Sequence, residues 1–132
     1  VLIKRTLGLA LGGEVRDQDI YMPIGGLRTH PAGVEAVFTW MTENWDELVR
    51  KLPPELNLLD SVVSICTSAF SSLEDLDRVQ KFFEGRNTRG FDQTLAQSCD
   101  AIKAKAAWLN RDRQDLRDWV DSYSPKSIKI EV

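Results

Sequence analysis

The sequence predicts an all-α fold made of antiparallel helix pairs, as in a bundle or an α-solenoid. Three observations predict it. Val34, Val37, Phe38, Met41, Trp45, Leu48, Val49 and Leu52 recur with helical spacing and form one face of an amphipathic helix. No run alternates apolar and polar residues for long enough to argue for a strand. Proline and glycine punctuate the chain so that short loops join helical segments, which makes neighbours antiparallel. No fixed period repeats in the sequence itself, so the array rests on helix pairing alone.

The elements follow in order. Val1 to Leu11 reads as the tail of a longer helix, its apolar run interrupted by Lys4, Arg5 and Thr6. A free terminus is normally polar and frayed, so this start predicts a C-terminal piece of a longer protein. Gly12–His30, broken by Pro23, Gly25-Gly26 and acidic residues, reads as short turns of helix and loop. Pro31 suits the first turn of the helix that carries the 34–52 stripe, and Pro53-Pro54 ends it. Leu59, Val62, Val63, Cys66 and Phe70 mark a second helix. Ser71-x-x-Glu74 reads as a capping box opening a third, with Leu76, Val79, Phe82 and Phe83 inside and Gly85 as its stop. After the polar loop Arg86–Gly90, a long helix carries Phe91, Leu95, Cys99, Ile102, Ala106 and Leu109. Asn110 stands where an N-cap belongs, before a last helix faced by Leu116, Trp119, Val120 and Tyr123. Ser124-Pro125 closes it, and 124–132 reads as a loosely held tail. The whole of 1–132 is expected to be a single helical domain.

Composition excludes several classes. With 132 residues, 42% hydrophobic and 28% charged, the chain is that of a globular domain able to bury a core unaided. A net charge of -3, with signs mixed throughout, argues against a nucleic-acid partner. The longest apolar stretch, at the start, is too short and too charged to span a bilayer, so no membrane partner is expected. Cys66 and Cys99 lie far apart on apolar stripes and read as buried free thiols in a reducing compartment, a bridge between them being the alternative. A single histidine, His30, leaves no room for a two-histidine zinc site.

The remaining candidates have ordinary readings. His30, just before Pro31, is expected to be solvated or capping. Ser61, Ser64 and Ser68 read as helix surface, and Gly12-Gly13 and Gly25-Gly26 as turns rather than phosphate cradles. Glu43, Asp46, Glu47 and Glu55 form a solvated face with an Asp46–Arg50 pair at i,i+4. Asp112, Arg113, Asp115, Arg117 and Asp118 alternate in sign and read the same way. Core packing is expected for Trp45, Trp108 and Trp119. Trp40, slightly off its stripe, is expected there too; partial exposure would make it the candidate for contact with another domain.

Read together, Glu14-Val15-Arg16-x-Gln18-Asp19, Ile24-Gly25-Gly26, Trp40 and Glu43-Asn44-Trp45 resemble the C-terminal region of zinc-dependent (gluzincin) aminopeptidases. Phe82-Phe83, Gln97-Ser98-Cys99-Asp100-x-Ile102 and Ala106-Ala107-Trp108-Leu109-x-Arg111-Asp112 continue the resemblance, nearest to the puromycin-sensitive type and its fungal relatives. The resemblance implies that an upstream thermolysin-like domain of the same polypeptide holds His-Glu-x-x-His, a further Glu ligand and a Gly-Ala-Met-Glu-Asn amine anchor. None of these occurs here, so no catalytic or metal residue is carried over and the chain alone is expected to be inert. Zinc is expected in the parent enzyme, which would remove N-terminal residues from peptides in the cytoplasm. The resemblance implies a curved, HEAT/armadillo-like α-solenoid array of which this segment would be the last helix pairs, walling the substrate cavity. Leu56, Asn57 and Leu58, matched by spacing in the loop after the Asn-Trp motif, are the candidate cavity-lining residues. Without the helices that precede it, the first helix is expected to self-associate or disorder through Val1, Leu2, Ile3, Leu7, Leu9 and Leu11. The alternative is an independent α-helical adaptor that binds a peptide or partner helix in a groove.

Overall fold

The computed structural model describes residues 2–123, apart from the side chain of Pro54, and is all-α as expected. Its helices are α1 (Leu2–Leu11), α2 (Tyr21–Leu27), α3 (Pro31–Glu43), α4 (Trp45–Lys51), α5 (Leu58–Thr67), α6 (Leu73–Phe83) and α7 (Asp92–Ser122). Short 3-10 turns at Asp17–Asp19 and Pro54–Leu56 punctuate the loops, and no strand occurs among the described residues. Val1 and the tail at 124–132 lie outside those residues.

One hydrophobic cluster joins the helices. α1 buries Leu7 and Ala10 against α2 and α3. The 12–30 stretch is short helix and loop, as read, and it buries Ile20 and Ile24. α5 packs against α2, α3 and α7, and its predicted stripe of Leu59, Val62, Val63 and Cys66 is buried. Each such aliphatic side chain removed from water stabilises the fold by roughly 1.5–3 kcal/mol. Buried Thr67 is satisfied within the helix, its hydroxyl donating to the Val63 carbonyl at 2.7 Å. Just past the end of α5, the Lys105 ammonium on α7 donates to the Ser68 carbonyl at 2.6 Å, and Arg28 donates to the Ser68 hydroxyl at 3.4 Å. Phe70 lies beyond the helix end yet is buried.

Close packing of α2 on α3 depends on Gly33. A Cβ there would sit 2.7 Å from the Leu27 carbonyl carbon and closer still to its oxygen. An aromatic group ties α4 to α6 and to the start of α7. The Trp45 ring lies edge-on to Phe82 at 5.6 Å, Phe83 at 5.2 Å and Phe91 at 5.6 Å between centroids.

The structure departs from the expected elements at four places. The 34–52 helix is two helices, because Asn44 leaves the helical region at φ -111° and ψ 18°. Its backbone N–H and its side-chain amide both donate to the Trp40 carbonyl, at 3.0 and 2.8 Å. Asparagine's short amide competes for backbone partners in this way. Asp46 and Glu47 then open α4 and Arg50 and Lys51 close it, matching the helix dipole. The α6 cap is Ser72 rather than Ser71. The Ser72 hydroxyl accepts from the Asp75 N–H at 3.1 Å and donates to the Asp75 carboxylate at 2.9 Å, so the box runs one residue later. Gly85, at φ 74°, supplies the left-handed stop after α6 as read.

Nor does α7 break at Asn110. No proline or glycine interrupts Asp92–Ser122, and one interior asparagine costs well under about 1 kcal/mol. Gln114 also donates to Asp118 one turn on, at 2.8 Å. A straight helix cannot fold back over the core, so Trp108 and Trp119 are 47% and 59% exposed instead of packed. Trp40, by contrast, is buried, since α1 covers that flank of α3. The fourth departure is small: Arg50 reaches Glu47 at 3.9 Å rather than Asp46.

Candidate functional site

The loop from α4 to α5 places the three expected residues in three different settings. Leu56, in the 3-10 turn, is exposed. Asn57 is exposed in the left-handed region at φ 54°, which asparagine tolerates better than other residues with a Cβ. It occupies the N-cap position of α5 but makes no side-chain cap hydrogen bond, leaving its carboxamide free of that role. Leu58 begins α5 and packs half-buried against the core. The structure therefore directs Leu58 inward and leaves Leu56 and Asn57 at the surface.

Asn57 meets a second loop. A shallow cavity of about 370 Å³ is lined by Asn57 and Asp60 from this side and by Gly90, Phe91, Asp92, Gln93 and Thr94 from the start of α7. Leu56 and Leu58 do not line it. Asp92 is engaged by the Thr88 hydroxyl, so its carboxylate is held in place. The wall thus offers an amide and carboxylates beside the face of a buried phenylalanine, suited to hydrogen-bonding a polar chain rather than to attacking it.

Sequence reasoning missed a charged hub at the opposite loops. Arg78 on α6 makes a forked pair with Glu35 on α3, at 2.6 and 2.8 Å, and reaches Asp75 at 3.0 Å. Its guanidinium also lies over the rings of Phe38 and Phe70. The hydrogen bond from Arg78 holds the Glu35 carboxyl below its ordinary range, and Arg78 is made more basic by the same bond. Forty-three residues separate the partners, and no local pattern marks them. Beside the hub, another cavity of about 370 Å³ is lined by Arg28, Pro31, Val34, Phe70 and His30 among others. His30 sits at the cap of α3, where its backbone carbonyl accepts from Val34 at 2.9 Å while its ring makes no cap hydrogen bond.

Neither cysteine is prepared as a nucleophile. Burial pushes the Cys66 thiol up to about 12, and Cys99, half-buried, is also raised by burial. Among the described residues, no three His, Cys, Asp or Glu side chains group as a metal site would need. Nor is any helix among them long and apolar enough to cross a membrane.

Fold and site define an all-α domain whose described residues bring together no metal-ligating group. Residues 1–104 match the ERAP1-like C-terminal domain, and the chain belongs to that family. It is 54% identical over 119 residues to "Aminopeptidase 2, mitochondrial" of Saccharomyces cerevisiae, covering 90% of this chain and 12% of that protein. It is 43% identical over 122 residues to "Aminopeptidase 2" of Candida albicans, covering 92% and 13% respectively. Against the "Alanine/arginine aminopeptidase" of Saccharomyces cerevisiae it is 42% identical over 113 residues, covering 86% and 13%. The chain thus spans only 12–13% of the length of these relatives. It is the C-terminal domain of gluzincin aminopeptidases, as its motifs led one to expect, and is not catalytic by itself.

Proposed function

We propose that this chain, as a single helical domain, walls the substrate cavity of a zinc aminopeptidase beside an upstream catalytic domain of the same polypeptide. The observation that carries the reading is that this helical chain matches only 12–13% of the length of its aminopeptidase relatives, which leaves most of each relative to other domains. Zinc and the attacking water would belong upstream. An exopeptidase must exclude folded proteins, and a curved stack of helix pairs does so while keeping water from the reaction. The contacts of α1 with α2 and of α6 with α7 support an array of solenoid type. Two unpaired cysteines support a cytoplasmic, reducing location.

Asn57 is the cavity-lining residue that geometry favours, with Leu56 beside it; Leu58 supports the loop from within. The test is kcat/KM over a ladder of peptide lengths with the full-length enzyme and its Asn57→Ala and Leu56→Ala variants. A changed length or side-chain preference is expected, with hydrolysis of the shortest substrates retained. Superimposable ladders would remove both residues from the cavity.

Cut from its parent, the chain should self-associate through α1, where Leu2 and Leu9 are exposed and Ile3 and Leu11 half-buried. Leu7 is already covered within the chain and contributes nothing to that contact. Light scattering that shows a monomer at all concentrations would count against this.

A further inference from the structure

The second half of α7 carries an apolar stripe that no other described residue covers. Trp108, Leu116, Trp119, Val120 and Tyr123 are all exposed, yet at 100° per residue they fall within about 120° of the helix circumference. Buried Ser98 and Ile102 lie in the same arc of the first half, so the stripe continues the face that seats on the core. It runs for about 22 Å, the rise of fifteen helical residues. Trp119 and Tyr123 already stack, with ring centroids 4.7 Å apart. An apolar face this continuous marks an interaction surface rather than ordinary scatter.

Its chemistry selects the occupant. Between Asn110 and Tyr123 three arginines stand against four aspartates, and Arg111 pairs with Asp112 at 3.0 Å. So balanced a rim gives no field to draw a polyanion or an anionic bilayer. The five side chains expose roughly 500 Å², given 150–250 Å² for each aromatic. A freely associating partner needs about 800 Å² per side, so a second copy of this chain is poorly held. A segment of the same polypeptide needs less, because tethering raises its effective concentration to about the millimolar range. The relatives have 87–88% of their length outside the matched segment.

We propose that the Trp108–Tyr123 stripe of α7 is the seat for an apolar, weakly charged surface of the upstream part of the parent polypeptide. The proposal rests on the reading of this chain as one domain of a larger aminopeptidase. It assigns a contact with another domain to α7, whereas Trp40, a candidate for such a contact only if exposed, is buried.

Hydrogen exchange on the full-length polypeptide tests it, in the wild type, in Trp119→Asp and Leu116→Asp variants, and in a form lacking residues 124–132. Amides of 108–123 should be protected in the wild type and in the shortened form. Either aspartate should lower that protection by on the order of a hundredfold, together with one upstream segment, while Trp119→Phe restores it. Three results would overturn the proposal: an unprotected stripe in the wild type, protection lost with residues 124–132, or protection that varies with protein concentration. Protection combined with unchanged peptide ladders for Asn57→Ala would remove Asn57 from the cavity and leave the seat standing.

Discussion

Replacing Gly33 with alanine should destabilise the domain by about 2–3 kcal/mol, a typical cost of overpacking a close contact. The added Cβ would lie 2.7 Å from the Leu27 carbonyl carbon, and both nearest obstacles are backbone atoms rather than a side-chain tip. Ordinary carbon contacts run near 3.5–4.0 Å and the Leu27 oxygen is nearer than its carbon, so the end of α2 must retreat from α3 by more than about 1 Å. Alanine's better helix propensity returns about 1 kcal/mol at most. That retreat would also disturb Ile24, which is fully buried on α2. The matched control is Gly26→Ala, where nothing lies within 4 Å and a gain of a few tenths of a kcal/mol is expected. Urea titration reads both: with slopes of about 1–3 kcal/mol per molar, Gly33→Ala should lower the midpoint by about 1 M or more. Equal midpoints for the two variants would refute the close approach of α2 and α3.

The other predictions concern single interactions. Ser72→Ala should cost about 1 kcal/mol and Ser71→Ala almost nothing, since only Ser72 receives the Asp75 N–H; equal losses in thermal melts would return the cap to Ser71. Glu35 has a lowered folded pKa, so its contribution is present above the ordinary value of 4.5 and is lost as pH falls through the folded value. Glu35→Gln should therefore be less stable than wild type near neutrality, and the difference should shrink as pH falls through the lowered folded value. The gap should be under about 1 kcal/mol because the pair is half exposed, and a gap independent of pH in urea titrations would contradict this. Trp45→Ala should cost about 3–5 kcal/mol, while Trp119→Ala in the separate chain should stay within about 0.5 kcal/mol; calorimetry giving similar losses would place Trp119 in the core.

Much of this fold was legible because local rules agreed with the packing. The α5 stripe, the left-handed Gly85 and the helical turns of 12–30 needed only spacing and stop signals. Asn44 and Asn110 show the boundary of such rules. The same residue type ends one helix, where its amide finds the Trp40 carbonyl, and sits silently inside another. Nothing local distinguishes them, since the outcome depends on what the following helix can pack against. Ser71 and Ser72 are equally plausible caps until the entry path of the chain is fixed. The Glu35–Arg78 pair belongs to neither rule, being an encounter between distant helices. At the candidate site, spacing located the loop but could not tell that Leu58 would turn inward and Asn57 outward.

Ser68 closes the account of α5 in time as well as in space. The carbonyl past that helix is completed by Lys105, thirty-seven residues later, and the face of α5 toward α7 stays open until then. During synthesis the earlier helices can collapse, but the side of α5 that packs on α7 reaches its final enclosure only after α7 has left the ribosome. The domain is therefore committed late. A ribosome that stalls between residues 70 and 100 would present an unsealed apolar surface to chaperones and proteases.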